Sequence, residues 1–256
     1  MSDLGKRIRL NRIFSHPSGR ILSVAVDHLI NYPTGLPQGL RTMDHTLREI
    51  VRGRPSALTM NKGIATRYGG LFAGITPLIV QSMALRPEEP DFADTATVEE
   101  VVALGADAIA VSMFVHGPFE IRYLRHLSAV VREAERYGMP VIPHIYPLTS
   151  GDERHAVAHD AEAVFYAVRA GLEMGADVIK VPYTGDPASF RDITAVTPVP
   201  VVCAGGPRCD TLDEADRMVR AVVAAGAAGA TVGRNVWGFA DIPAAIARLK
   251  AAAQGG

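Results

Sequence analysis

The stretch Val178-Ile179-Lys180-Val181-Pro182-Tyr183-Thr184-Gly185-Asp186 decides how the chain is read. It has the form of a short buried strand with a lysine at its centre, closed by a turn. The chain has only four lysines, Lys6, Lys62, Lys180 and Lys250. Lys6 and Lys250 lie near the ends, on segments with a solvated pattern. Lys180 alone interrupts an apolar β-run. A buried amine is costly unless it is paired or neutral, and burial lowers its pKa. A partly neutral lysine attacks carbonyls. The window by itself leaves a second reading open, a lysine snorkelling to water beneath a helix.

Working outward, short apolar runs alternate with helical patterns. Strands are expected over 20–28, 57–63, 77–83, 108–114, 140–146, 177–183, 200–206 and 227–233. Helices are expected over 43–52, after 63, and over 97–104, 118–137, 160–174, 187–195, 211–225 and 241–253. A basic amphipathic helix over 4–14 precedes them as a cap. Thr97 with Glu100 forms a capping box. Gly138 and Gly175 close helices. The doublets Gly105-Ala-Asp107, Gly175-Ala-Asp177 and Gly226-Ala-Ala228 each join a helix to a strand. Eight strands, each with room for a helix, argue for a parallel sheet under helices. In 256 residues the expected class is α/β, a single-domain (β/α)8 barrel spanning 1–256, with 1–19 as a cap segment and 251–256 as a frayed tail. A doubly wound open sheet is the alternative. The acidic stretch Arg86 to Asp94 is expected to be a solvated loop.

A net charge of -1 gives no sign of a nucleic-acid or membrane surface. No apolar run is long enough to cross a bilayer, and the N-terminus lacks a signal-peptide core. Two cysteines, Cys203 and Cys209, make no disulfide framework. These features point to a cytoplasmic protein.

Barrel active sites lie at the carboxyl ends of the strands. Polar residues collect there: Asp27 and His28, Asn61 and Lys62, Gln81, Ser112 and His116, His144 and Tyr146, Lys180, then Gly205-Gly206 and Gly233-Arg234-Asn235. His28, Lys62, His116 and His144 are thereby candidate substrate-binding residues. Glycine turns after strands seven and eight let backbone N–H groups approach a phosphate, and Arg234 adds a charge-assisted bond. Gly205, Gly206, Gly233 and Arg234 are the candidate phosphate set. Other readings stand beside these. His144 could be a core histidine. His28, His116 and His144 could ligate zinc if they converged, although no metal is expected. Cys203 reads as core filler, Trp237 as a packing residue, and Asp186 as a helix cap.

Several motifs resemble the archaeal-type class I fructose-bisphosphate aldolases, a family that includes autoinducer-2 thiolase and aminodeoxyheptulosonate synthase branches. They are Arg9-Leu-Asn-Arg-Ile-Phe14, Val24-Ala-Val-Asp27-His28, Lys62-Gly-Ile-Ala65, Leu104-Gly-Ala-Asp-Ala108, Tyr146-Pro147, Lys180-Val-Pro-Tyr-Thr-Gly-Asp186, Gly205-Gly-Pro207 and Val232-Gly-Arg-Asn-Val-Trp237. The resemblance implies Lys180 as the Schiff-base lysine, Tyr146 as general acid/base and Asp27 as the aspartate that holds substrate. It implies a phosphorylated sugar substrate, no cofactor beyond the covalent Schiff base, and a homo-oligomer of pentamer or decamer type. The chain departs from the fructose-bisphosphate pattern at strand five. His144 stands where tryptophan is frequent, and Leu148 stands where an arginine follows Tyr-Pro. The loop around Tyr32 also differs, and His116 replaces a small residue. These positions bear on the far end of the substrate rather than on the lysine.

Overall fold

The computed structural model describes residues 4–28, 35–149 and 156–256. Its strands are β1 (Ile21–Ala25), β2 (Ala57–Asn61), β3 (Leu78–Gln81), β4 (Met83–Leu85), β5 (Phe92–Asp94), β6 (Ala108–Val115), β7 (Val141–Pro147), β8 (Ile179–Val181), β9 (Val201–Ala204) and β10 (Gly229–Val232). Eight of them close into a parallel barrel in the order β1-β10-β9-β8-β7-β6-β3-β2. This is the expected (β/α)8 barrel. The continuous apolar runs form buried strands because helices cover the outer face of the sheet.

The helices are α1 (Leu4–Ile13), α2 (Met43–Arg52), α3 (Lys62–Phe72), α4 (Val98–Ala103), α5 (Glu120–Tyr137), α6 (Ala161–Glu173), α7 (Pro187–Ala195), α8 (Leu212–Ala224), α9 (Arg234–Trp237) and α10 (Ile242–Gln254). Their ends follow local chemistry. Thr97 and Thr211 each form a capping box. Asp186 caps α7 by accepting from the Ser189 N–H at 2.8 Å, with Pro187 opening the helix. Gly138 ends α5 in the left-handed conformation, φ 57°.

Two apolar clusters divide the molecule. The larger lies between the sheet and its helices. The smaller fills the barrel interior at the amino ends of the strands, where Ile21, Ala57, Ile79, Ala108, Ile142 and Val178 meet. Ile13 belongs to it, and Leu10 and Phe14 pack against it, so α1 plugs that end. The Gly-Ala-Asp doublets secure the plug. Asp177 accepts from the Val141 N–H at 2.8 Å and pairs with Lys6 at 2.9 Å. Asp107 accepts from the Leu78 N–H at 3.1 Å and pairs with Arg12 at 3.2 Å.

Two expectations need correction. The segment expected to be a solvated loop contains β5, which pairs antiparallel with β4 through Met83↔Asp94 and Leu85↔Phe92. Phe92 drives this by packing against Tyr123 and His126, with ring centroids 5.9 and 4.9 Å away. The alanine-rich tail is helical to Gln254, with Ala252 and Ala253 buried. Alanine has high helix propensity, and these two side chains join the larger core.

Candidate active site

Lys180 sits at the middle of β8, only 6% exposed. Its Cα partners are His144 on β7 and Val202 on β9. The amine opens into a cavity of about 740 Å³ at the carboxyl end of the barrel. Tyr146, His28 and Arg234 line the same cavity, as do the turns carrying Gly205, Gly206 and Gly233. The basic side chains on its wall are His28, His159, Lys180 and Arg234, and among the described residues no carboxylate joins them. Such a wall suits an anionic ligand.

The two glycine turns require glycine for different reasons. Gly206 adopts φ 64°, which side-chain-bearing residues rarely occupy. Gly233 has an ordinary φ, but a Cβ there would lie 2.3 Å from His28 Cε1. Asn235 joins the two turns from its buried position. Its Nδ2 donates to the carbonyls of Gly205 and Pro207, both at 2.9 Å, and its Oδ1 accepts from the Cys209 N–H at 2.8 Å. Arg234 Nη2 reaches the Gly206 carbonyl at 3.4 Å.

Asp27 follows β1. Its Oδ1 is 3.6 Å from His28 Nδ1, and its Oδ2 accepts from Gln81 Nε2 at 3.4 Å. His28 meets Trp237 edge-on at 5.3 Å, and the Trp237 Nε1–H donates to the Ala25 carbonyl at 3.0 Å. Burial lowers the pKa of His28 below its ordinary value. Asp27 opposes that shift, whereas Lys180 and Arg234 reinforce it. Burial also carries His144 well below its ordinary value, with Lys180 adding to the effect. Both imidazoles are therefore neutral at pH 7.

Tyr146 moves the other way. Burial is the main cause of its strongly raised pKa, and the charge of Asp27 and the thiol of Cys203 add to it. Its phenol is thus held protonated. Cys203 is pushed up to about 12 by burial, so it is an inert thiol rather than a nucleophile.

Not every sequence candidate converges. Lys62 opens α3, and its Nζ pairs with Glu100 Oε1 at 2.6 Å, away from the cavity wall. His116 lies in a separate depression with Tyr166 and Arg169. It has φ 63°, its N–H donates to Glu120 Oε2 at 2.6 Å, and its ring rests 4.4 Å from that of Tyr166. The left-handed turn after β6 aims it onto α6 rather than inward. His28, His116 and His144 therefore do not share a common centre. His144 is on the inner wall but lines neither cavity. Tyr32 lies outside the described residues. Gln81, Asn235 and His159 acquire places that spacing alone did not assign. The Gly-Arg-Asn motif was the available signal for Asn235.

A sequence profile of the DeoC/LacD family aldolases matches residues 21–238. The 2-amino-3,7-dideoxy-D-threo-hept-6-ulosonate synthase of Halobacterium salinarum is 35% identical over 254 residues, covering 98% of this chain and 92% of its own. The class 1 fructose-bisphosphate aldolase of Thermoproteus tenax is 34% identical over 233 residues, covering 88% of this chain and 86% of its own. A solved archaeal fructose-1,6-bisphosphate aldolase, with its catalytic lysine covalently bound to the carbinolamine intermediate, matches with a TM-score of 0.85. That match is at 29% identity and covers 98% of this chain and 100% of that one. The chain belongs to the DeoC/LacD family of aldolases, and it is a Schiff-base enzyme of the class I type.

Proposed function

We propose that Lys180 is the Schiff-base lysine and that the substrate is a phosphorylated ketose or related sugar phosphate. The observation that carries this reading is a buried amine opening into the same cavity as Tyr146 and the two glycine turns. The phosphate rests against Gly205, Gly206, Gly233 and Arg234, where backbone N–H groups and a guanidinium meet it. That anchor fixes the ketone against Lys180 and turns binding into orientation.

Neutral Lys180 adds through Nζ to the ketone carbon, giving a carbinolamine. Tyr146 gives its phenolic proton to the departing hydroxyl, which leaves as water, and an iminium remains. The raised pKa of Tyr146 makes the resulting phenolate a strong base. It removes the hydroxyl proton two carbons from the iminium carbon. The C–C bond breaks, an aldehyde departs, and the iminium accepts the bonding pair as an enamine. Protonation and hydrolysis release the ketone and restore the amine. Asp27 stands outside the cavity wall; its charge keeps the tyrosine protonated at the outset, and it reaches the substrate through a water that it holds. The lysine does the covalent work, so the steps call on no metal or cofactor. The same steps run backward form the bond.

His28 completes the wall as a neutral group, and neutral His144 stands behind it as the cross-strand neighbour of Lys180. A homo-oligomer placed in the cytoplasm and serving carbohydrate metabolism fits this reading. A second chemistry fits the departure at Leu148, where the resembled family has an arginine after Tyr-Pro: acyl or ketose transfer of the thiolase branch. A coenzyme A requirement separates that chemistry from aldol cleavage.

The test is borohydride reduction with dihydroxyacetone phosphate, read by intact and peptide mass. A reduced adduct on Lys180 is expected, with neither adduct nor cleavage in Lys180→Met. Activity retained by that variant, an adduct on another residue, or loss of activity to chelators would overturn the reading.

A further inference from the structure

Gln81 ends β3 with its side chain fully buried among groups from several strands. Its Oε1 accepts from the Met83 N–H at 3.3 Å. That bond settles which end of the carboxamide is oxygen, since a flipped amide would set two donors against each other. The Nε2 end therefore faces Ser112 Oγ at 2.8 Å, His144 Nδ1 at 3.3 Å and Asp27 Oδ2 at 3.4 Å. Two N–H bonds serve three acceptors on β6, β7 and the end of β1. With Gln81 Nε2 donating to it, Nδ1 would carry the lone pair and the His144 proton would sit on Nε2. His144 is also the cross-strand partner of Lys180.

We propose that Gln81 is a positioning residue of the aldolase: its locked carboxamide holds His144 as the Nε2–H tautomer beside Lys180 and steadies the Asp27 carboxylate that acts with Tyr146. The inference rests on the assignment of Lys180, Tyr146 and Asp27 above. The charged and titratable groups around His144 are Lys180 across the β7–β8 ladder, Tyr146 on its own strand, and Asp27 through Gln81. Lys180 and burial both oppose a proton on the imidazole. A neutral acceptor at Nδ1 is therefore consistent with its setting. Keeping His144 uncharged prevents a second cation from forming beside the iminium, where it would oppose that intermediate. A carboxylate at position 81 would reverse both effects, drawing a proton to Nδ1 and repelling Asp27.

The first measurement uses the unaltered enzyme. Long-range nitrogen–proton correlation NMR, with the signal identified by its loss in His144→Asn, is expected to show Nδ1 unprotonated and Nε2 protonated at neutral pH. A proton on Nδ1 would overturn the assignment. The second compares Gln81→Met and Gln81→Glu. Gln81→Met should lower kcat by about 10²-fold through misplacement of the reacting groups. KM should stay within about threefold, the pattern of a lost transition-state interaction. Gln81→Glu should lower kcat further, show a proton on His144 Nδ1, and change the pH profile of kcat. Borohydride adducts on Lys180 should persist in both variants. No adduct in any protein, wild type included, would sink the lysine assignment instead. Adducts throughout, with kcat within about twofold of wild type and an unchanged pH profile, would sink the role of Gln81. If Gln81→Met does not fold, the wild-type tautomer and Gln81→Glu still decide the question.

Discussion

At the amino end of the barrel, Lys6 and Arg12 reach from α1 to Asp177 and Asp107, and each carboxylate also accepts a strand N–H. At the carboxyl end, Lys180 has neutral His144 as its cross-strand neighbour, with the Asp27 carboxylate set further round the rim. The first pair of cations completes a seal over apolar side chains. The second end leaves a buried amine facing a cavity, which the proposed role of Lys180 requires to be reactive. The same side-chain chemistry is thus used to lower free energy at one rim and to hold reactive groups at the other. Substitutions at the first should change stability, and those at the second should change rate.

After the complete loss expected of Lys180→Met, the largest effect should come from Tyr146→Phe. It removes the one hydroxyl that, in the proposed mechanism, both gives and takes a proton, so kcat should fall by about 10²–10⁴-fold. The melting temperature should move little, because the ring and its packing near Phe114 stay. Borohydride should still trap some Lys180, more slowly. A variant with wild-type kcat would break the contrast between the two rims.

The opposite behaviour is expected of Ile13→Ala. Ile13 is fully buried in the interior cluster, beneath the layer that holds the site. Truncation should cost about 2–5 kcal/mol by lost burial and an unfilled cavity. Denaturant titration would measure this, while kcat per folded molecule should hold. A parallel fall in kcat would mean that the seal also shapes the mouth.

The pH dependence of stability should come mainly from the mouth, with His126 on α5 adding to it because burial lowers its pKa against the opposing charge of Asp94. His28 and His144 have folded pKa values below the ordinary 6.5. As pH falls below about 6.5, the unfolded chain takes up protons that these folded sites resist. Stability is therefore full above that value and lost below it. Melting temperature measured from about pH 8 to about pH 5.5 should decline, and His144→Asn should flatten the decline. An unchanged slope in that variant would reassign the effect to other groups.

Legibility in the sequence divided along the same line. Strands were readable because burial on both faces leaves unbroken apolar runs, and α1 because Leu10, Ile13 and Phe14 cluster at its end, although Leu4 and Ile8 stay exposed. Lys180 was readable because a charged residue inside such a run has few explanations. The groups around it were harder to read. Gln81 acquires meaning only when β1, β6 and β7 bring Asp27, Ser112 and His144 to it. Asn235 bridges residues 26 to 30 positions away. His116 was misplaced because a single left-handed residue turned its side chain outward. Periodicity reports which face of an element is apolar, but not which polar groups from distant strands will share a bond.

The smallest expected effects lie in the ionic ties of the seal. Lys6 Nζ meets Asp177 Oδ1, while Asp177 Oδ2 accepts the Val141 N–H. The two partners are therefore not equivalent. Lys6→Met keeps the alkyl stem over the apolar plug and leaves Asp177 its backbone bond, so the cost should be about 1 kcal/mol or less. Asp177→Ala strands the Val141 N–H and an amine only 15% exposed, so it should cost about 1–3 kcal/mol. In a double-mutant cycle, the Lys6 substitution should cost less once Asp177 is gone, by the strength of the pair alone. Raised salt should shrink that coupling and leave the backbone contribution of Asp177 unchanged. Equal costs for the two single variants would mean that the ion pair, rather than the carboxylate's bond to β7, holds α1 in place.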